Sequence, residues 1–179
     1  MSPKPWFVVI TGASSGFGRA MARGLLTRAG LAPAGSTFLL VARSTEQLAQ
    51  TKTLMEESGI EANVSLLSAD LSDLGAISQK VVPRMAEMLA AAGDVFGRVM
   101  LVNNAGSLGN ISDRIDKAGA CPDTLQSYFN LNLTGVITLT CGALLSAEAS
   151  ADKLLVLLRD SKFESGSHHD YYDLPEPTF

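Results

Sequence analysis

The sequence contains few cysteines and no long run of basic or apolar residues. Its two cysteines, Cys121 and Cys141, show neither CxxC nor metal-ligand spacing, so we expect free thiols, a reducing cytoplasmic compartment and no bound metal. A net charge of -4 without a lysine- or arginine-rich tract argues against nucleic acid or an anionic membrane surface as partner. Apolar runs such as 6–10 and 154–158 are too short to cross a bilayer, and the N-terminus lacks a signal-peptide pattern.

Apolar strand patterns alternate with helical patterns along the 179 residues. Continuous apolar runs predict buried strands at 7–11, 37–42, 63–67 and 98–103. Helical segments between them predict an α/β fold, with right-handed βαβ units and a parallel sheet. No buried strand pattern follows Asn132, so we expect a sheet that is truncated on its C-terminal side.

The spacing of apolar residues also predicts which faces of two helices are buried. The first helix follows the first strand, and a later helix begins near Pro122 and continues past Gly135. The residues predicted to share one face are Phe17, Met21 and Leu25 in the first helix, and Leu125, Phe129 and Val136 in the later one.

A glycine-spaced turn, Thr11–Gly18 (TGASSGFG), follows the first predicted strand and opens a helix. Glycines have no Cβ, so the backbone can turn tightly and approach a diphosphate, which the N–H groups of the helix would face. No Lys-Ser/Thr pair follows the glycines, which excludes a P-loop. The alternative to a nucleotide-binding turn is a plain glycine-rich turn between strand and helix. The candidate nucleotide-binding residues here are Gly12, Ser14, Ser15, Gly16, Phe17 and Gly18.

Polar residues follow the second and third predicted strands. Arg43 stands where an NAD-binding domain would carry an acidic residue for the ribose 2′-OH, and a guanidinium can bind a 2′-phosphate instead. We therefore predict NADP(H) rather than NAD(H), with a solvated surface arginine as the alternative. Asp70 and Leu71 end the third strand, where a carboxylate would lie beside the adenine edge. The alternative for Asp70 is the N-cap of the next helix.

The segment NNAG ends the fourth predicted strand, and open α/β sheets bind ligands at the carboxyl ends of strands. Its two amides and two small residues would permit close approach of a cofactor and hold neighbouring backbone in place. An asparagine-rich turn is the alternative. The candidate binding residues are Asn103, Asn104, Ala105 and Gly106.

Together these motifs resemble those of the short-chain dehydrogenase/reductase family. The ordered set is TGxxxGxG, Asp-Leu, NNAG and then Asn-Leu-Thr-Gly at 132–135, and the resemblance extends from Phe7 to about Leu145. It implies a Rossmann-like doubly wound parallel sheet, an oxidoreductase activity with NADP(H) as cofactor, and an active-site role for Asn132. It also implies a homodimer, which is usual for that family.

Three segments narrow the resemblance further: GFGR, NNAGSLG and residues 162–173 (KFESGSHHDYYD). They are similar to family members that reduce the side-chain carbonyls of a pterin with NADPH in tetrahydrobiopterin biosynthesis. There, Asp170 would match the carboxylate that binds the aminopyrimidinone edge of the pterin. The resemblance implies one domain over 1–179, with a cofactor-binding core at 1–147, a helix and tail strand at 148–173, and a loose tail at 174–179.

The catalytic Tyr and Lys of the family are absent from the sequence. In that family a Tyr acts as general acid, a Lys four residues later lowers its pKa, and a Ser polarises the carbonyl. None of Tyr128, Tyr171 and Tyr172 is followed by a lysine at that spacing, so the chain resembles a family member with an internal deletion near 145–149. Two functions therefore stay open: a pterin carbonyl reductase, and a binding or regulatory chain that holds NADP(H) without turnover.

Overall fold

The computed structural model describes residues 3–28, 31–109 and 122–143. These residues belong to one compact unit that ends at Ala143. Within them, no helix is both long enough and apolar enough to span a membrane. The predicted C-terminal helix, tail strand and loose tail, and Asp170 with them, lie outside the described residues and stay predictions.

Four strands form a parallel sheet: β1 (Trp6–Thr11), β2 (Ser36–Ala42), β3 (Ala62–Ser68) and β4 (Arg98–Val102). All four predicted strands are confirmed, with bounds that shift by a residue at several ends. The order across the sheet is β3-β2-β1-β4, so the direction in which strands are added reverses between β1 and β4. Ligands of open α/β sheets bind at such a reversal, beyond the carboxyl ends of the strands.

The helices are α1 (Gly16–Thr27), α2 (Thr45–Glu56), α3 (Leu74–Ala76), α4 (Val82–Ala92), α5 (Pro122–Phe129) and α6 (Gly135–Ala143). One π turn, Ile77–Val81, joins α3 to α4, and a second, Asn130–Thr134, joins α5 to α6. The first ends two residues before Pro83, which has no N–H to offer to an α-helical ladder. A single 3₁₀ turn, Gly93–Val95, follows α4.

Helices cover both faces of the sheet, because successive strand residues point to opposite sides. On one face, Ile10 of β1 belongs to a buried cluster with Leu25 of α1 and with residues of α2. On the other face, Val9 of β1 packs in a second cluster with Met85 of α4 and Leu139 of α6. The doubly wound α/β fold is thereby confirmed.

Two residues predicted for buried helix faces are exposed instead. Phe17 is 68% exposed in the first turn of α1, and Phe129 is 58% exposed at the end of α5. The residue that enters the core from the later helix is Leu139, at 2% exposure. The π turn Asn130–Thr134 adds a residue to one turn, so the face predicted for a regular helix does not continue across it.

Strand β4 lies at one side of the described sheet. Its residues are half-buried except for exposed Arg98, and among the described residues it pairs only with β1. This agrees with the expected truncation of the sheet on its C-terminal side.

Candidate functional site

A cleft of about 510 Å³ opens beyond the carboxyl ends of the strands, where the glycine turn after β1 meets the segment after β4. The cleft is also lined by residues that follow β2 and β3, by two residues of α5 and by Leu131 of the second π turn. Two predicted site residues, Asn103 and Asn132, are not part of that lining. The predicted residues that do border it are Gly12, Ser14, Ser15, Gly16, Phe17, Gly18, Arg43, Asp70, Leu71, Asn104, Ala105 and Gly106.

Two glycines of the turn are required by close contacts with Asn104 and with the turn's own backbone. Gly12 has a φ of +65°, in the left-handed region, and a Cβ there would lie 2.9 Å from Nδ2 of Asn104. A Cβ on Gly18 would lie 2.3 Å from the carbonyl oxygen of Gly12. The start of α1 therefore lies directly against β1 and the segment after β4, and larger residues would force them apart.

The N-terminus of α1 differs from those of α2 and α3. Ser15 is its N-cap residue, but the Ser15 side chain makes no capping hydrogen bond and the first turn holds no acidic residue. In α2, Oγ of Ser44 accepts a hydrogen bond from the backbone N–H of Gln47 at 3.3 Å, and Asp73 caps α3. The first turn of α1 therefore has N–H groups available to an anion in the cleft, which fits a diphosphate.

A set of hydrogen bonds between Thr11 and Asn104, here called the Thr11–Asn104 latch, joins the ends of β1 and β4. The hydroxyl of buried Thr11 accepts hydrogen bonds from the backbone N–H of Asn104 at 2.9 Å and of Ala105 at 3.0 Å. It donates to the carbonyl of Val102 at 3.2 Å. Nδ2 of Asn104 donates to the carbonyls of Thr11 at 2.9 Å and Gly12 at 3.3 Å. The latch fixes the floor of the cleft.

The carboxylate of Asp70 borders the cleft and is held by Ser72. One of its oxygens accepts the Ser72 backbone N–H at 2.9 Å and the Ser72 hydroxyl at 2.8 Å. The pKa of Asp70 lies below its ordinary value of 3.8. The largest cause is the hydrogen bond from the Ser72 backbone; with the Ser72 hydroxyl and the charge of Arg43 it outweighs partial burial, which raises the pKa. Asp73, not Asp70, is the N-cap of α3, since it accepts two backbone N–H groups at 2.8 and 3.2 Å. The alternative N-cap role of Asp70 is therefore wrong.

Asn132, in the second π turn, holds the segment after β4. Its Oδ1 accepts the backbone N–H of Ser107 at 3.0 Å, and its Nδ2 donates to the carbonyls of Ser107 at 2.8 Å and Tyr128 at 3.0 Å. Asn103 is likewise engaged outside the cleft lining, where its Nδ2 donates to the hydroxyl of Thr140 at 3.2 Å. Both side-chain amides therefore hold the segments around the cleft in place, and neither lines the cleft.

Thr11, Ser107 and Asn130 build the site although the sequence analysis did not name them as candidate site residues. Asn130 donates through Nδ2 to the carbonyl of Ser72 at 3.2 Å and so ties the segment after β3 to the second π turn. The available signal was position, because Thr11 and Ser107 lie within the motifs TGASSGFG and NNAGSLG, and Asn130 lies two residues before Asn132. Their roles depend on contacts between distant parts of the chain, which local spacing does not encode.

Cys141 does not line the cleft. Cys141 is a free, exposed thiol in α6, as expected, whereas Cys121 lies outside the described residues. Across residues 3–28, 31–109 and 122–143, no group of three or more histidine, cysteine or acidic side chains could hold a metal ion.

The latch can be tested with Thr11→Val, which removes the hydroxyl and nearly preserves the side-chain shape. The backbone N–H of Ala105 would lose its acceptor, whereas that of Asn104 would keep the carbonyl of Val102 at 3.0 Å. We expect the free energy of unfolding to fall by about 2 kcal/mol, since an unsatisfied donor costs roughly 1–3 kcal/mol. Urea unfolding measures this loss. Thr11→Ser keeps the hydroxyl and is the matched control; equal losses in both variants would contradict the latch.

The titration of Asp70 offers a second test. Ser72→Ala removes the hydroxyl that donates to the carboxylate, so the pKa of Asp70 should rise toward 3.8 in a carboxyl NMR titration, and Arg43→Gln should raise it by less. Because the folded pKa lies below the unfolded one, the stability contributed by ionised Asp70 is complete above about pH 4. It is lost as the pH falls through the folded pKa. An unchanged titration in Ser72→Ala would refute the assignment.

Comparison with known proteins places the chain in a family. The profile of the short chain dehydrogenase family matches residues 7–151. Curated relatives include sepiapterin reductase from Rattus norvegicus, 37% identical over 138 residues, and sepiapterin reductase from Xenopus laevis, 39% identical over 139 residues. Each alignment covers 76% of this chain but 49% of the relative, so the chain spans about half the length of the curated relatives it matches.

A solved structure agrees with these relatives. A metagenomic short-chain oxidoreductase in complex with NADP is similar with a TM-score of 0.60 and 29% sequence identity. The likeness covers 79% of this chain and 55% of that one. The matched region includes the glycine turn, the cleft and the segment after β4. The profile, the relatives and the shared fold lead to one conclusion: the chain belongs to the short chain dehydrogenase family.

Proposed function

We propose that this chain binds NADP(H) in the cleft, as the cofactor-binding part of an oxidoreductase that reduces the side-chain ketones of a pterin. The observation that carries this proposal is the uncapped first turn of α1 behind the glycine turn, at the edge of a cleft that Arg43 and Asp70 also border. The NADP complex of the metagenomic oxidoreductase supports the cofactor, and the relatives that are sepiapterin reductases support the substrate class.

Arg43 supports the choice of NADP(H) over NAD(H). Its exposed side chain follows β2 and borders the cleft, which Ser15 also lines. Another arginine, Arg19, contacts the glycine turn but is bound to the carbonyl of Ser14 and to the hydroxyl of Thr51, and it does not line the cleft. Arg43 is therefore the guanidinium that would form charge-assisted hydrogen bonds with a 2′-phosphate.

The other cleft residues fit the remaining parts of the cofactor. The glycine turn and α1 would hold the diphosphate, Asp70 and Leu71 the adenine edge, and Ala105 and Gly106 would allow close approach after β4. When bound, NADPH supplies the hydride for carbonyl reduction. Asn132 would serve the active site by holding Ser107 in place.

Binding of NADP(H) without turnover is the second candidate function. The sequence contains no tyrosine followed by a lysine four residues later, and a positioned general acid contributes roughly 10²–10⁴-fold to a rate. This absence favours a chain that holds the cofactor and reduces carbonyls slowly or not at all. Pterin binding at Asp170, a homodimer and a cytoplasmic location stay predictions.

Binding is tested by calorimetric titration of the purified chain with NADPH and NADH. We expect NADPH to bind more tightly, and Arg43→Gln to weaken NADPH about tenfold, since a charge-assisted hydrogen bond contributes on the order of 1.5 kcal/mol. Arg23→Gln alters an exposed arginine of α1 outside the cleft lining and should bind like the parent chain. Equal affinities for both nucleotides would contradict the role of Arg43, and no binding of either would refute the proposed function.

Oxidation of NADPH in the presence of sepiapterin decides between the two candidates. If the chain binds NADPH but leaves sepiapterin unreduced, the reductase function fails for this chain and the second candidate stands. Robust reduction would instead require that another group delivers the proton, and Tyr128→Phe would test the tyrosine that lines the cleft.

A further inference from the structure

The side chain of Arg19, in the first turns of α1, is bound between the glycine turn and α2. Its Nε donates to the hydroxyl of Thr51 at 3.0 Å, and its Nη2 donates to the carbonyl of Ser14. The same nitrogen reaches the carbonyl of Gln47 at 3.4 Å and Oε1 of Gln50 at 3.3 Å. One guanidinium therefore connects the start of α1, the turn before it and the first two turns of α2.

Thr51 is the buried partner in this network. Its hydroxyl accepts a hydrogen bond from Arg19 and donates to the carbonyls of Ala13 at 2.9 Å and Gln47 at 3.1 Å. The residue has 0% exposure, so water does not reach the hydroxyl. A buried polar group destabilises the fold unless it is hydrogen-bonded, and the hydroxyl of Thr51 is bonded to the glycine turn.

The two contacts fix two consecutive peptide groups. Thr51 holds the carbonyl of Ala13, and Arg19 holds the carbonyl of Ser14. A peptide group is planar and trans, so the direction of its carbonyl also sets the direction of the N–H that follows. The N–H groups of Ser14 and Ser15 therefore have fixed orientations immediately before Gly16 and α1.

We propose that Arg19 and Thr51 are positioning residues that hold the glycine turn in the shape required for the cofactor diphosphate. Neither residue lines the cleft, so both act through the backbone of Ala13 and Ser14. This inference rests on the proposed binding of NADP(H). It assigns to Arg19 a role inside the protein, separate from the 2′-phosphate contact of Arg43.

Thr51→Val and Arg19→Met are the informative variants. Valine nearly matches the shape of threonine but cannot bond the Ala13 carbonyl or Arg19, and methionine keeps an unbranched stem without the guanidinium. We expect each to weaken NADPH binding about tenfold, because a turn that is not pre-organised must be ordered on binding. Hydrogen exchange at the amide of Ala13, which donates to the carbonyl of Val41 at 3.3 Å, should become faster while that of β1 and β2 stays unchanged.

The controls separate a positioning role from a merely structural one. Thr51→Ser restores the hydroxyl and should restore both NADPH affinity and slow exchange, and Arg23→Met should leave both unchanged. Parent-like affinity in Thr51→Val and Arg19→Met would overturn the proposal, as would faster exchange throughout the sheet, which indicates general destabilisation. If the parent chain binds no NADPH, the proposed function fails. The positioning of the turn is then decided by the exchange data alone.

Discussion

The Thr11–Asn104 latch is the interaction on which the rest of the site depends. Strands β1 and β4 are neighbours, but the chain leaves β1 toward α1 on one face of the sheet, whereas α6 packs on the other face. The buried hydroxyl of Thr11 holds two backbone N–H groups of the segment after β4, and the Asn104 amide holds two carbonyls after β1. Gly12 and Gly18 lie directly against this amide, so the latch also explains why two of the turn positions exclude a Cβ.

The sheet could be predicted from the sequence because strands buried on both faces are continuous apolar runs, and β1 and β2 carry such runs. The helix faces were harder to predict. Periodicity assigned Phe17 and Phe129 to the core, but Phe17 borders the cleft and the phase of the later helix changes at a π turn. A π turn depends on tertiary contacts of the helix, so spacing along the sequence gives no sign of it.

The candidate site likewise contains residues that could be predicted from the sequence and contacts that could not. Residues at the ends of strands, such as Arg43, Asp70 and Asn104, could be found because a parallel sheet brings its carboxyl ends to one edge. The contacts that hold those residues could not be found, because they join distant segments. Thr51 meets Ala13 across 38 positions, and Asn130 meets Ser72 across 58. Nothing in the local pattern around Thr51 or Asn130 distinguishes it from an ordinary helix residue.

Cofactor binding and proton delivery are physically separable in this chain. The turn after β1, Arg43 and Asp70 come from the first three strand ends, and each would contact a part of the cofactor that does not react. Contacts of that kind stabilise the ground state and the transition state equally, so they lower a dissociation constant without raising a turnover rate. A proton donor acts only as the transition state forms. The cleft can therefore bind NADP(H) in a sequence without the Tyr and Lys pair, because the described residues that would hold the adenosine and diphosphate parts of the cofactor do not belong to that pair.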